Sequence, residues 1–497
     1  MTKKVLVWLD GPYGYLHYGI TRHLSTLDDF EYYGMVSYKK DMEFYKNQNK
    51  SHFKELHYYP EYYLENSSKP DLEYLSKIEN ELKLNFWLIA SSERTFLQER
   101  NFFHIFTSDE ILSIIESLTK FFYSFLKRIK PEFIIMQKTG ENLANFLLFN
   151  IAKSLNIKTL MLIETRLSNS FVISDNLLVD ILKDDFKQIK KDSSHEVKEY
   201  GPEFIQKRTL YKDLKSYLEI EFGKASFFEK LTRYSKRLNT NPEPIFYNKG
   251  KTKLKMISWR WNQLSKLRKR QNFLEKYALK EIPEKNFIYF PLPVQPESQS
   301  YAWDPFHVNT ISIIENIAKS IPSNYLLFVK EHPGQKAKNW RSIEIYKKII
   351  SLPNVRLIHQ NVNNYEMISK SDLVMLINNS SGLEALFYKK PVIVFGDVFY
   401  DVTSMVKKIN KIEDLPSVIH DSLFSFKFSY QELSFLMESI ERNHILVNYW
   451  GIMKELIQLD SILIHSGVEK TILEFEKVFE NHDDDFSIMA SAYHKII

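Results

Sequence analysis

Leu373-Val374-Met375-Leu376-Ile377-Asn378-Asn379-Ser380-Ser381-Gly382 is a short apolar run closed by a polar turn, and an apolar helical pattern follows over 383–388. An unbroken run of this length, without alternation, is what a strand covered on both faces requires. Pro391-Val392-Ile393-Val394-Phe395 repeats the strand before Gly396-Asp397. The same rhythm extends upstream. A strand is predicted over 287–292, ending in Pro293-Val294-Gln295-Pro296-Glu297, then a helix over 311–318 and a strand over 325–330 before Glu331-His332-Pro333-Gly334. A helix over 343–350, a strand over 355–358 and a short helix over 364–369 complete the pattern. Strand, loop, helix, strand in series builds a doubly wound parallel sheet, and this unit is expected to span 285–415.

A second unit of the same kind is read at the start. Val5-Leu6-Val7-Trp8-Leu9 is a buried strand stopped by Asp10-Gly11-Pro12. Further strands are predicted over 133–137 and 158–164, with a helix over 142–152 between them. This unit is placed at 1–183. Two units agree with the length, because 497 residues exceed the roughly 250–300 that one core supports. Between them, 184–284 loses its apolar strand runs and becomes a basic helical insertion. The tail, 416–497, reads as helical with no strand candidate.

Composition excludes several classes. Cysteine is absent, so disulfides, thiolate metal sites and a cysteine nucleophile are ruled out. Against 62 acidic residues stand 67 Lys and Arg, a net +5, too little for a chain that neutralises nucleic acid along its length. Neither a Gly-x-Gly-x-x-Gly nor a phosphate loop ending in Gly-Lys-Ser/Thr is present, which argues against a nicotinamide enzyme and a P-loop ATPase. No Asp-x-Asp flanked by strand residues is found, so no metal ligand is assigned. No signal-like or spanning segment is read at either end. The chain is expected to be soluble and cytoplasmic.

The segment 251–280 carries Lys253, Lys255, Arg260, Lys266, Arg268, Lys269 and Arg270 against one acid, Glu275, with Trp259, Trp261, Leu264 and Leu267 interleaved. It reads as a solvated helix whose aromatics pack on its own domain, as a surface helix drawn to a polyanionic acceptor or to anionic lipid headgroups on the inner face of the cell membrane, or as a nucleic-acid patch, which no recognised nucleic-acid motif accompanies.

Ligands of open parallel sheets sit outside the carboxyl ends of the strands. The 285–415 unit concentrates chemistry there: Gln295, Glu297, Lys330, Glu331, His332, Ser380, Ser381, Gly382, Glu384 and Asp397. Two hydroxyls and backbone amides at a helix start suit a phosphate, although Ser-Ser-Gly also serves as a plain helix cap. Pro333 keeps His332 extended, where its imidazole can donate to a phosphate or simply stand on the surface. Lys330 either flanks its strand or meets the ligand.

The ordered segments 289–298, 329–334, 371–372, 380–386 and 390–400 resemble the bacterial capsule polysaccharide synthesis glycosyltransferases, the group that includes the β-Kdo transferases. The His332-Pro333 and Ser380-Ser381 pairs are also similar to bacterial sialyl- and polysialyltransferases. The resemblance implies an α/β chain of the GT-B class: two Rossmann-like doubly wound domains facing a cleft, with the nucleotide-sugar donor on the C-terminal one. His332 would meet the donor phosphate or leaving group, Ser380 and Ser381 would hold the phosphate, and Glu384 would meet the ribose or base. Lys330, Gly382 and Glu297 complete the donor set. The N-terminal domain would supply the acceptor site and a carboxylate general base. Glu141 is the first candidate, Asp10 the second and Glu164 the third. The donor is a CMP-linked sugar such as CMP-Kdo or CMP-sialic acid, the acceptor a glycan or glycolipid, and no separate cofactor is implied. Other readings of the same residues are a UDP-sugar or polyol-phosphate transferase or epimerase, and a non-catalytic polysaccharide-binding scaffold.

Overall fold

The computed structural model describes residues 2–48, 51–63, 69–97, 101–140, 142–192, 196–207, 245–295, 302–336 and 341–497. Thirteen strands are described among these residues. They are β1 (Lys3–Leu9), β2 (Phe30–Val36), β3 (Phe53–Tyr58), β4 (Phe133–Ile135), β5 (Lys158–Glu164), β6 (Ser170–Ser174) and β7 (Phe287–Pro291). The series continues with β8 (Leu326–Lys330), β9 (Val355–Ile358), β10 (Leu373–Leu376), β11 (Val392–Val394), β12 (Val406–Lys408) and β13 (Ile445–Leu446).

The chain divides into two compact units. The first takes Met1–Leu177, Leu210–Lys253 and His444–Ile497, and the second takes Leu178–Thr209 and Leu254–Asn443. In the first, seven strands run in the order β13-β6-β5-β4-β1-β2-β3. The strands β5, β4, β1, β2 and β3 are parallel, while β6 and then β13 add antiparallel. In the second, six strands run β12-β11-β10-β7-β8-β9, all parallel. Counted within the unit, that is the 3-2-1-4-5-6 order of a doubly wound nucleotide-binding sheet. The parallel strands of the first unit give the same order one strand shorter. The α/β reading and the repeated doubly wound architecture are therefore as the sequence implied.

Each sheet has its own core. Val5, Val7 and Leu9 of β1 pack with Phe133 and Ile135 of β4 in the first. In the second, Ile288 and Phe290 of β7 pack with Leu327, Val329, Leu373 and Met375. All eleven are fully buried or nearly so, which explains why these strands read as unbroken apolar runs.

The segment boundaries differ from the expected ones. The last fifty or so residues (about a tenth of the chain) do not form a separate tail: Phe475, Phe486 and Tyr493 join the first unit's core with Tyr15 and Tyr18. The approach is close at Gly19, where an added Cβ would lie 2.3 Å from Phe486 Cε1. Arg22 is held there by Glu476 at 2.8 Å and 3.1 Å and stacks 3.7 Å from the Phe479 ring. The tail is helical as read, apart from the two-residue β13. Residues 178–207 belong with the second unit, where Lys190 meets Glu432 at 2.7 Å and Phe186 packs on Phe435.

The basic stretch forms one helix, Lys253–Tyr277. Gln263, Arg270 and Leu274 are its buried residues. Leu254 and Trp261, on the opposite side by helical spacing, are 80% and 71% exposed. The packed-aromatic reading therefore fails for Trp261. None of the helices among the described residues is long and apolar enough to cross a membrane.

Candidate functional site

In a doubly wound sheet the binding crevice opens where the strand order reverses, at the carboxyl ends of the two central strands. In the second unit those are β7 and β10. The turn after β10 is tied to the end of β7 by Asn379 Nδ2, which donates to the Pro291 carbonyl at 3.4 Å. A seven-residue helix, Ser381–Phe387, follows. Its first amide is already taken, because Ser381 N donates to Asn379 Oδ1 at 3.0 Å. That amide is therefore not available to a ligand at this turn. Asn364 Nδ2 donates to Ser381 Oγ at 3.3 Å and to Glu384 Oε2 at 2.8 Å, leaving the Ser381 proton to point elsewhere. Ser380 Oγ donates to Glu384 Oε1 at 3.3 Å. Glu384 thus serves the turn itself. Gly382 is required by packing: a Cβ there would stand 2.4 Å from the Tyr400 hydroxyl, which itself donates to Asn379 O at 2.7 Å.

One strand over, β8 ends in Lys330, which is 3% exposed. Burial lowers its ammonium to about 8, against the pull of Glu331 and Glu384. His332 is exposed, and its Nδ1 accepts from Gly334 N at 3.0 Å. A ring nitrogen that accepts carries no proton, so the neutral imidazole presents N–H at Nε2.

Beneath His332 lies a buried network that sequence reading did not find. Glu331 Oε1 accepts from His332 N at 2.7 Å. Its Oε2 meets the Tyr346 hydroxyl and Arg341 Nε at 2.9 Å. Arg341 also donates to Pro293 O at 2.7 Å, on the loop after β7. A second unread pair stands nearby: Asp304 Oδ1 and His307 Nδ1 lie 2.5 Å apart, with Asp304 crowding Gly396 at the end of β11. Gln295 is buried and reciprocally bonded to Gln335 at 2.9 Å and 2.8 Å. Asp397 pairs with Lys408. Glu297 lies outside the described residues.

The first unit's reversal point lies between β1 and β4, and Asp10 stands there. Ser37 Oγ, after β2, donates to Asp10 Oδ1 at 2.5 Å. Asn142 Nδ2, after β4, donates to Oδ2 at 3.0 Å. Burial raises the Asp10 carboxyl above its ordinary value, opposed by hydrogen bonds led by Ser37. A cavity of about 220 Å³ opens on it, lined by Asp10, Ser37, Tyr38, Tyr59, Pro60, Tyr63, Asn142, Ile245 and Tyr247. Glu93 is also buried, its carboxyl raised by burial and bound by Thr95 N and Leu143 N.

Of the other carboxylates, Glu141 lies outside the described residues, and Glu164 sits 3.6 Å from Arg166 in a local pair. His17 is a core residue whose Nδ1 faces Trp8 O at 2.7 Å, and burial lowers it to about 4. Tyr59, Tyr63 and Tyr247 were not singled out. The tyrosine-rich run at 58–63 was the available signal.

Comparison with known proteins bears on the second unit above all. Residues 237–413 match the family model described as capsule polysaccharide biosynthesis protein, the resemblance its motifs carry. Protein FixF of Sinorhizobium fredii is 28% identical over 136 residues, covering 27% of this chain and 32% of FixF. The alignment thus spans about a third of that relative's length. Similar solved structures include the β-Kdo 2,7 transferase KpsC of Thermosulfurimonas dismutans, at TM-score 0.33 and 14% identity over 72% of this chain and 88% of that one. The UDP-GlcNAc 2-epimerase of Methanocaldococcus jannaschii, solved with UDP-GlcNAc and UDP, gives TM-score 0.29 and 12% identity over 88% and 98%.

Proposed function

We propose that the chain is a capsule polysaccharide glycosyltransferase that moves a sugar from a nucleotide-activated donor, CMP-linked sugars favoured, to a hydroxyl of a glycan or glycolipid. One observation carries the reading. At the carboxyl edge of a sheet ordered like a nucleotide-binding sheet, the end of β10 is followed by two serine hydroxyls, and the end of β8 carries a buried lysine and is followed by an exposed histidine.

In the reaction, the acceptor oxygen bonds to the anomeric carbon as that carbon's bond to the phosphate oxygen breaks, and the electron pair leaves with the nucleotide. His332 Nε2–H donates to the leaving oxygen. Lys330 and the Ser381 hydroxyl, joined by that of Ser380 once its proton turns from Glu384 Oε1, offset the growing phosphate charge, and such stabilisation is strongest in a desolvated site. The acceptor hydroxyl must also lose its proton to a base, and Asp10 of the first unit, whose carboxyl burial raises above its ordinary value, is the carboxylate assigned that role. The exposed face of the basic helix, with Leu254 and Trp261 among lysines and arginines, is assigned to peripheral contact with anionic lipid.

A thermal-shift panel of CMP, UDP, GDP and CDP tests the donor assignment. A nucleotide at a hundred times its dissociation constant stabilises the native state by about 2.7 kcal/mol, with CMP expected to act most strongly. Absence of a shift with all four contradicts the reading.

A further inference from the structure

A short 3₁₀ turn, Pro305–His307, stands at the reversal point of the second sheet and is tied to the loops beyond four of its strands. Gln295, on the loop after β7, donates through Nε2 to Val308 O at 2.9 Å. The reciprocal bonds between Gln295 and Gln335 carry that tie to the loop after β8, on which His332 stands. On the other side Asp304 reaches the ends of β10 and β11. A Cβ added to Gly396 would run into Asp304 Oδ2 and lie 3.4 Å from Asn378 Cβ. The carboxylate thus fills the space this glycine leaves, beside the start of the Ser380-Ser381 turn.

Asp304 Oδ1 and His307 Nδ1 are 2.5 Å apart. An ionised carboxylate only accepts, so the proton between them lies on Nδ1 and the neutral ring presents Nε2 without one. An aspartate fixes the imidazole tautomer of a serine protease in the same way. His332 has the opposite form, because its Nδ1 accepts from Gly334 N and its Nε2 keeps the proton. One sheet edge therefore offers an imidazole that donates and another that accepts. The His307 side chain is 33% exposed, so its ring is within reach of a ligand in the crevice. A phosphate oxygen cannot donate to a bare Nε2. Hydroxyls can, and every nucleotide-activated sugar carries them on its ribose and on the sugar itself.

We propose that His307, held in this tautomer by Asp304, accepts a hydrogen bond from a hydroxyl of the donor, and that this contact makes the site prefer the hydroxyl-bearing ligand over its deoxy counterpart. The inference rests on the donor reading of this edge and adds a specificity residue to it. His332 serves the leaving group by donating, and His307 reads the ligand by accepting. Asp304 is the positioning residue that keeps Nε2 bare.

Calorimetric titration of the full chain compares CMP, 2′-deoxy-CMP, 3′-deoxy-CMP and CMP-N-acetylneuraminate in wild type and His307→Ala. If the hydroxyl belongs to the ribose, one deoxy nucleotide binds wild type about tenfold more weakly than CMP, the worth of one hydrogen bond, and binds His307→Ala as well as CMP does. If it belongs to the sugar, the three nucleotides bind both proteins alike, and CMP-N-acetylneuraminate alone loses about tenfold in the variant. Asp304→Asn should reduce whichever preference is found, because an amide no longer fixes the tautomer. NMR of chain labelled with ¹⁵N-histidine gives a second readout. The His307 proton is expected on Nδ1 in wild type and shared with Nε2 in Asp304→Asn, a change that lost packing alone does not produce. The inference is overturned if His307→Ala weakens all four ligands equally, or if the wild-type proton sits on Nε2. Binding that His307→Ala leaves untouched for every ligand sinks this inference alone, whereas a wild-type chain that binds none of the four sinks the donor reading and this inference with it.

Discussion

Asn142 and Asp10 are joined by a 3.0 Å hydrogen bond that links the loop after β4 to the end of β1. With Ser37 on the other carboxylate oxygen, the bond fixes a partly buried acid at the point where the sheet's connections part. Two donors orient the carboxylate while burial raises its proton affinity, the combination a general base near neutrality needs.

Asp10→Asn should therefore lower the transfer rate by about 10²–10⁴ while leaving nucleotide binding intact. The pH dependence has a definite sign. A raised carboxyl keeps its proton in the folded state after the unfolded chain has lost it, so its stabilising contribution is present at low pH and lost as pH rises through the folded value. Wild-type activity should rise over that window while stability falls. The asparagine variant should melt at least as high as wild type at pH 7 and lack that component of the pH slope. Melting curves and transfer rates from pH 4 to 8 check both.

Lys330 runs the other way. Its ammonium is depressed from 10.5 to about 8 by burial, so the folded state releases a proton between pH 8 and 10.5 that the unfolded chain retains. Stability from this group is full above 10.5 and lost as pH falls through 8. At neutral pH the charged lysine costs about 3 kcal/mol. Lys330→Met should accordingly raise the melting temperature at pH 7 and weaken nucleotide binding. In the wild type, nucleotide affinity should decline from pH 7 to 9, and calorimetry should find that decline absent from the variant.

Glu331 holds His332 from behind. It is 1% exposed and pairs with Arg341, which is buried to 4%. Removing one charge strands the other, and breaking such a buried pair costs about 3–5 kcal/mol. Glu331→Gln should be markedly less stable in chemical denaturation. Replacing both partners, Glu331→Gln with Arg341→Met, should recover part of the loss because no lone charge remains. Equal stability of wild type and the single variant would remove the network from the account.

Trp261 tests the lipid assignment. Flotation with vesicles containing anionic phosphatidylserine should recover the wild-type chain at low salt and less of it at 0.5 M salt, because surface charge attraction is screened. Trp261→Ser with Leu254→Ser should reduce recovery several-fold. Binding to neutral phosphatidylcholine vesicles to the same extent would refute the electrostatic part.

Much of the fold was legible because β1, β4, β5 and β7 to β11 are buried on both faces and therefore spell apolar runs. The strands that escaped are of other kinds. β2 is built from Phe30, Tyr32, Tyr33 and Met35 with Glu31 and Gly34 interspersed. β3 is an edge strand whose Lys54, Glu55 and His57 sit between its apolar residues. β6 is five buried residues bounded by Ser170 and Ser174. The final helices looked independent because nothing local shows that Phe486 closes on Gly19. At the second sheet's edge, Pro333 and the twin serines signalled their turn chemically. The support of His332 by Glu331, Arg341 and Tyr346 is tertiary, and so is the meeting of Tyr63 with Tyr247. Neither leaves a mark in a linear pattern.

The central claim is that the carboxyl edge of the second sheet grips the donor's nucleotide. Calorimetric titration of CMP into the wild-type chain, His332→Ala and the double variant Ser380→Ala with Ser381→Ala measures it directly. The account predicts saturable binding to wild type, weakened about tenfold or more in each variant, as expected for losing hydrogen bonds to a charged group. Binding of equal strength in all three proteins would contradict it.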